Sequence, residues 1–270
     1  MTKTVIAIPA RYGSKRFPGK PLAKIAGKEM ILRVYENAML ASRSFPGVKV
    51  IAATEDERIL NFCKDNDIEC VLTSASCRSG TDRIVEAVDT LKLDPDFVIN
   101  LQGDNPLCPP WFIADIIEAY ELDKNVQVAT ACTQLTWEEL DNLRVSKMRT
   151  PFSGTTCVMD KNMDACWFSK NIIPAIRNED DLRTTSDYSP VYRHIGLYGY
   201  RYDVLKRYAS LEQGAYEKLE GLEQLRFIEN DIKVRMVIVD YKGYGSMSGV
   251  DSEEDLIRAE ELFKKYGEFK

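Results

Sequence analysis

Asp96-Phe97-Val98-Ile99-Asn100-Leu101-Gln102-Gly103-Asp104 is a mostly apolar run that breaks abruptly into a polar loop. A short, continuous apolar stretch of this kind reads as a strand buried on both faces, as the strands of a parallel sheet are. Working outward, residues 5–8 precede an amphipathic stretch at 31–41, 48–53 precede 57–64, 69–73 precede 81–91, and 97–101 precede 111–120. Strand, helix, strand, helix predicts βαβ units. The expected class is α/β, with a mixed, mostly parallel sheet and helices on both faces. Ligands of such sheets sit outside the carboxyl ends of the strands, so residues 102–106 point at a site.

The second half is more mixed. Residues 126–133, 156–159, 194–200 and 234–239 read as strands, and 161–172, 203–208, 216–228 and 252–266 as helices. The polar stretch 178–189 reads as a surface loop. No repeat or Gly/Pro/Ser-rich linker cuts the chain, so a single domain over 1–270 is expected, with an inserted or protruding segment at 137–191.

At 270 residues, 44% hydrophobic and 29% charged, the chain is long and apolar enough to build a full core without metal or disulfide staples. Its 36 Lys+Arg against 42 Asp+Glu leave a net charge of −6, which argues against a nucleic-acid partner. Seven scattered cysteines without a C-x-x-C pair suit free thiols in a reducing cytoplasm. The apolar start, interrupted by Arg11, is too short for a signal-peptide core, and no run approaches a membrane span. One histidine, His194, leaves little scope for zinc or Ser-His-Asp chemistry.

The first predicted strand runs into Pro9-Ala10-Arg11-Tyr12-Gly13-Ser14-Lys15-Arg16-Phe17-Pro18-Gly19-Lys20-Pro21-Leu22, a loop with four cations, two glycines and a serine. Clustered cations repel one another unless an anion neutralises them, and a triphosphate would do so; the plainer reading is a solvated basic loop. It is neither a Walker A loop nor G-x-G-x-x-G, which argues against a dinucleotide oxidoreductase. Asp104 and Asp251 are the carboxylates best placed for Mg²⁺, although Asp251 or Ser252 could equally cap the last helix, with Ser252-Glu253-Glu254-Asp255 as a capping box. Ser79-Gly80-Thr81-Asp82-Arg83 opens a helix, as an N-cap or as an anion site with Arg83 as fork donor. Glu217, Glu220 and Glu223 or Gln224 fall at helical spacing on adjacent turns, either as a solvated face or as a grip on substrate hydroxyls. His194, at the start of a strand, is either a satisfied structural residue or a ligand contact.

Read in register, residues 11–22, Gln102-Gly103-Asp104, Ser79 to Arg83, His194-Ile195-Gly196-Leu197-Tyr198-Gly199-Tyr200 and Leu222-Glu223-Gln224-Leu225-Arg226 closely resemble the 3-deoxy-manno-octulosonate (Kdo) cytidylyltransferases over nearly the whole chain. The resemblance implies a Rossmann-like nucleotidyltransferase fold, with segment 137–191 serving dimerisation in a cytoplasmic homodimer. It also implies transfer of CMP from CTP to an acidic sugar, Kdo or a relative, for lipopolysaccharide or capsule synthesis. It places Arg11, Ser14, Arg16 and Lys20 around the triphosphate, Ser79, Arg83 and Gln102 at the nucleotide, and Asp104 and Asp251 on Mg²⁺. Arg11, Lys20 and Asp104 become the catalytic set, and Lys170, His194, Tyr198, Glu223 and Gln224 meet the sugar acid.

Departures from the family pattern concern the acceptor. The usual Gln-Gly-Asp-Glu-Pro is here Gln102-Gly103-Asp104-Asn105-Pro106, Ala-Thr-Asp is Ala53-Thr54-Glu55, and Phe-Ser-Arg is Phe168-Ser169-Lys170. Thr155-Thr156-Cys157-Val158 replaces a stretch that usually carries a lysine. Lys170 keeps the charge but loses the bidentate fork an arginine offers a carboxylate. The alternatives are the same reaction on 8-amino-Kdo, another 3-deoxy-ulosonic acid or a phosphonate, and, from another class, a nucleotide-binding regulatory subunit without catalysis.

Overall fold

The computed structural model describes residues 3–13, 16–245 and 249–270. The chain divides into two compact units: residues 1–123, 197–209 and 241–270 form the first, and 124–196 with 210–240 the second. Segment 137–191 falls wholly inside the second.

The first unit begins with β1 (Thr4–Pro9), every residue of which is buried. The basic loop follows, closing on a single 3₁₀ turn at Lys20–Leu22, then the small hairpin of β2 (Lys24–Ile25) and β3 (Lys28–Glu29). Helix α1 (Met30–Ser42) buries Met30, Ile31, Val34, Ala38 and Ala41, the stripe expected of a core-facing helix. Next come β4 (Lys49–Thr54), α2 (Glu57–Asp65), β5 (Cys70–Leu72), α3 (Gly80–Thr90), β6 (Phe97–Asn100) and α4 (Pro110–Leu122). Strands β6, β1, β4 and β5 pair in that order, all parallel, as their uninterrupted apolar runs predict.

The second unit holds β7 (Val128–Thr136), α5 (Trp137–Arg149), β8 (Thr156–Met159), β9 (Ala165–Ser169), α6 (Glu179–Thr185) and the first nine residues of β10 (Tyr188–Arg201). The last residues of β10 pair antiparallel with β6 in the first unit. There Gly199 is required, because a Cβ would overlap the Phe97 ring. Helix α7 (Tyr202–Ser210) follows. Back in the second unit, α8 (Ala215–Glu220) and α9 (Leu225–Ile228) lead to β11 (Val234–Ile238), parallel to β7. Helix α10 (Glu253–Tyr266) ends the first unit, with Ala259 and Phe263 in a cluster with Ile25, Met30, Leu107 and Val250.

Four expectations need correction. Residues 161–172 are not helical. Asp160 accepts the amide N–H groups of Asn162 and Asp164 at 2.8 and 3.0 Å, folding the chain back so that 165–169 pairs as β9 against β8. The stretch 216–228 is two short helices, because Gly221 takes a left-handed φ of +64° and ends the first. Residues 178–189 hold α6 and the start of β10. His194 lies inside this 14-residue strand, not at its start.

Candidate functional site

Three segments of the first unit converge on Lys20. Gly19, at φ +72°, donates its N–H to the Tyr12 carbonyl at 2.8 Å and so closes the basic loop, whose last cation turns inward. Lys20 is only 8% exposed. Its Nζ donates to Asp104 Oδ2 at 2.5 Å, Asp251 Oδ1 at 3.0 Å and the Val250 carbonyl at 3.3 Å. Arg16 reaches the other oxygen of Asp251 at 3.0 Å. Asp104 follows β6, and its carbonyl accepts the Val250 N–H at 2.8 Å, tying the segment before α10 to the loop after β6. Burial works against a charge on Asp251, but the hydrogen bond and attraction of Lys20, with help from Arg16, outweigh it and hold that carboxyl below its usual range. Ser252 is indeed the helix cap, its Oγ accepting the Asp255 N–H at 3.2 Å, so Asp251 stands one residue outside the helix with its carboxylate directed at Lys20.

The donor set suits Mg²⁺, which takes one or two protein carboxylates and completes its octahedron with phosphates and water. Asp104 and Asp251 already converge on one shared cation. Gly249, beside them, holds φ +140°, a backbone conformation that residues with a side chain rarely adopt.

Arg83 has a different task from the free fork read in the sequence. It is 5% exposed, with one nitrogen 3.0 Å from Glu55 Oε2 and another donating to Thr73 Oγ1 at 2.5 Å. Glu55 Oε1 in turn accepts the Tyr12 N–H at 3.1 Å, and the Arg58 guanidinium lies 3.4 Å above the Tyr12 ring. Arg83 therefore fixes the start of the basic loop through Glu55. Glu55 is legible in sequence only as a departure from a pattern, although it stands at the carboxyl end of β4 just as Asp104 follows β6. Ser79 caps α3, accepting the Asp82 N–H at 3.0 Å. Gln102 donates to Asn100 Oδ1 at 2.9 Å. Arg11 is exposed at the loop's start, and Ser14 lies outside the described residues.

The residues expected at the acceptor divide between the units. Tyr198 belongs to the first, opposite Asn100 in the β10–β6 register and stacked at 5.8 Å on Tyr200. Lys170, His194, Glu223 and Gln224 belong to the second. Thr155 joins the first two: its carbonyl accepts the His194 N–H at 2.9 Å and its Oγ1 lies 3.3 Å from Lys170 Nζ. The His194 ring has Nε2 3.0 Å from Thr130 Oγ1 and meets Phe168 edge-on at 5.2 Å. Burial, then the charge on Lys170, pushes its pKa down to about 3, so at neutral pH it is an uncharged imidazole. The row of acids is no ladder on one face. Glu217 is 3% exposed and paired with Arg226 at 2.5 and 2.7 Å. Glu220 accepts from Ser169 Oγ and Lys170 N, each at 2.8 Å. Glu223 sits in the turn between α8 and α9, beside the buried Gln224.

No helix among the described residues is long and apolar enough to cross a membrane. The sequence profile of the cytidylyltransferase family matches residues 5–234. A 3-deoxy-manno-octulosonate cytidylyltransferase from Maricaulis maris is 46% identical over 262 residues, covering 97% of each chain, and that of Bacteroides thetaiotaomicron is 39% identical, covering 95% of this chain and 96% of its own. Among solved structures, a CMP:2-keto-3-deoxy-manno-octonic acid synthetase complexed with CTP superposes with a TM-score of 0.83 at 34% identity, covering 98% of this chain and 99% of the other.

Proposed function

The chain belongs to the cytidylyltransferase family, and from that premise we propose that it transfers CMP from CTP to the anomeric hydroxyl of Kdo with release of pyrophosphate. The observation that carries this reading is the meeting of Lys20 with Asp104 and Asp251, within a chain aligned nearly end to end with Kdo cytidylyltransferases.

The hydroxyl oxygen attacks the α-phosphorus in line. The O–P bond forms as the bond from the α-phosphorus to the pyrophosphate oxygen breaks, and the hydroxyl proton is released. No side chain becomes covalent, so the work of the residues is positioning and charge neutralisation. In this reading Lys20, Arg16, Arg11 and Ser14 bind the triphosphate, the cations offsetting charge on its oxygens, while Glu55 and Arg83 hold the loop that carries them. Ser79 and Gln102 line the nucleotide. Asp104 and Asp251 would hold Mg²⁺, which when bound supplies further positive charge at the phosphate oxygens. His194, neutral, offers the sugar acid a hydrogen bond beside Lys170, and Glu223 and Gln224 serve its hydroxyls.

A cytoplasmic homodimer is part of the proposal. The exposed Val145, Met148 and Phe152 on α5 and the turn after it supply apolar surface within segment 137–191 for a second copy. The alternative acceptors stay in view because the Lys170 ammonium, which among the described residues reaches only Thr155, has no fork to offer. A regulatory subunit without catalysis is disfavoured by the intact Lys20, Asp104 and Asp251. The test is pyrophosphate release from CTP and Mg²⁺ across Kdo, 8-amino-Kdo, sialic acid and small phosphonates. Release with Kdo supports the reading, release only with another acid moves the acceptor, and CTP binding without release from any of them defeats it.

A further inference from the structure

Lys147 has no part in the chemistry above, yet it is held by more partners than a surface lysine needs. It stands two residues before the end of α5, half-buried, and its Nζ donates to the carbonyls of Ser153 and Lys170 at 2.5 Å and Gly154 at 2.9 Å, with Pro151 at 3.4 Å. An ammonium has three protons, so these acceptors saturate it, and none of them carries a charge. Burial, followed by repulsion from Lys170 and Arg193, lowers its pKa, and Glu220 only partly offsets this. Lys170 is shifted the same way by burial, against the pull of Glu220.

Glu220 does not pair with either ammonium. Its carboxylate accepts the Lys170 N–H and Ser169 Oγ, both at 2.8 Å. The Lys170 peptide is thus gripped from both sides, its N–H by a carboxylate from α8 and its C=O by an ammonium from α5. The two half-buried ammonium groups repel one another, and no carboxylate among the described residues is hydrogen-bonded to either. An anion beside Lys170 would offset that repulsion even though carbonyls already take the protons of Lys147.

We propose that Lys147 and Glu220 are positioning residues for the acceptor: they fix the Lys170 peptide from opposite sides, and Lys147 adds a second positive charge, so that the pair of lysines selects a carboxylate-bearing sugar. The inference rests on the cytidylyl-transfer reading. It supplies what Lys170 lacks as a single point charge, because rigid placement and a neighbouring charge stand in for a bidentate fork.

The test is steady-state kinetics of the full chain with CTP and Kdo for wild type, Lys147→Met, Lys147→Arg and Glu220→Gln, with Kdo methyl ester as the uncharged acceptor. Lys147→Met is expected to raise KM for Kdo by about tenfold while leaving KM for CTP within about twofold, and to narrow the preference for acid over ester. Lys147→Arg restores most of that preference, and Glu220→Gln raises KM for Kdo in the same direction. An unchanged acid-to-ester preference, or a parallel rise in both KM values, makes Lys147 a mere staple of the turn at 150–155 and overturns the proposal. Should Lys147→Met fail to fold, Glu220→Gln, nearly identical in shape, decides the matter. A wild-type chain that releases no pyrophosphate from any acid defeats the underlying reading, whereas an active wild type with unaltered variants defeats this proposal alone.

Discussion

Replacing Gly103 with alanine tests whether the loop after β6 is as tightly built as the site requires. A Cβ at this position would fall 2.7 Å from the Pro9 carbonyl oxygen, a backbone atom that cannot swing aside. That is roughly 0.7 Å inside ordinary van der Waals contact, so either β1 or the loop must move by about that amount. Overpacking of this kind costs about 1–3 kcal/mol. The displacement falls on the residue before Asp104, whose carboxylate lies 2.5 Å from Lys20 Nζ. A misplacement approaching 1 Å at a reacting centre costs on the order of a hundredfold in rate. The expected result in a pyrophosphate-release assay is therefore a loss of kcat/KM of about ten- to a hundredfold, with the melting temperature lowered by several degrees. Gly13, where an added Cβ would meet no atom within 4 Å, is the stability control: alanine there leaves melting unchanged. A Gly103→Ala enzyme with wild-type turnover and melting would refute the reasoning that this close approach sets the position of Asp104.

Asp104→Ala and Asp251→Ala should each abolish Mg²⁺-dependent turnover with the far-UV circular dichroism intact; near-normal activity in either removes that residue from the metal assignment. Glu217→Gln removes the charge that the buried Glu217 offers Arg226 and should cost about 3–5 kcal/mol, read as a fall in the denaturation midpoint. An unchanged midpoint would show the pair to be dispensable. Hydrogen bonds from Arg144 and Arg183 lower the Glu179 pKa from 4.5 to about 2, so its contribution is complete above pH 4.5 and lost as pH falls toward 2. Wild type should lose more melting temperature across that interval than Glu179→Gln, and identical slopes would count against the ion pairs.

The parallel half of the fold is legible in the sequence because a strand buried on both faces cannot hide: β1 and β6 are buried throughout and apolar but for Thr4 and Asn100, and the end-of-strand rule leads directly to Asp104. Lys20 and Asp251 carry the right chemistry, but nothing in their spacing announces that one ammonium bridges both carboxylates. The second unit is harder. Apolar residues between 161 and 172 satisfy a helical period as well as a strand, and the Asp160 turn with its β8 partner decides between them. Helix α6 buries nothing and is held by the Arg144 and Arg183 pairs to Glu179, so it has no apolar stripe to read. Helix α5 buries only Trp137, Leu140 and Leu143, and its clearest signal is the capping box that Thr136 and Glu139 form ahead of them. Arg83 and Glu217 look like surface charges in sequence. Their partners, Glu55 and Arg226, are fixed by tertiary packing rather than by any period.

The Lys20–Asp104 pair spans 84 positions of sequence and the Lys20–Asp251 pair 231, while the Glu55 contact to the loop spans 43. The Lys20 ammonium therefore acquires its second carboxylate only when the segment leading into α10 has docked Val250 against Ile25, Met30 and Leu107. Helix α10 contributes nothing to the parallel ladder of β6, β1, β4 and β5, so its detachment would leave those strands hydrogen-bonded. Activity in this protein is accordingly a more exacting gauge of nativeness than any spectroscopic signal: an ensemble with its sheet intact but α10 transiently detached looks folded, and is silent.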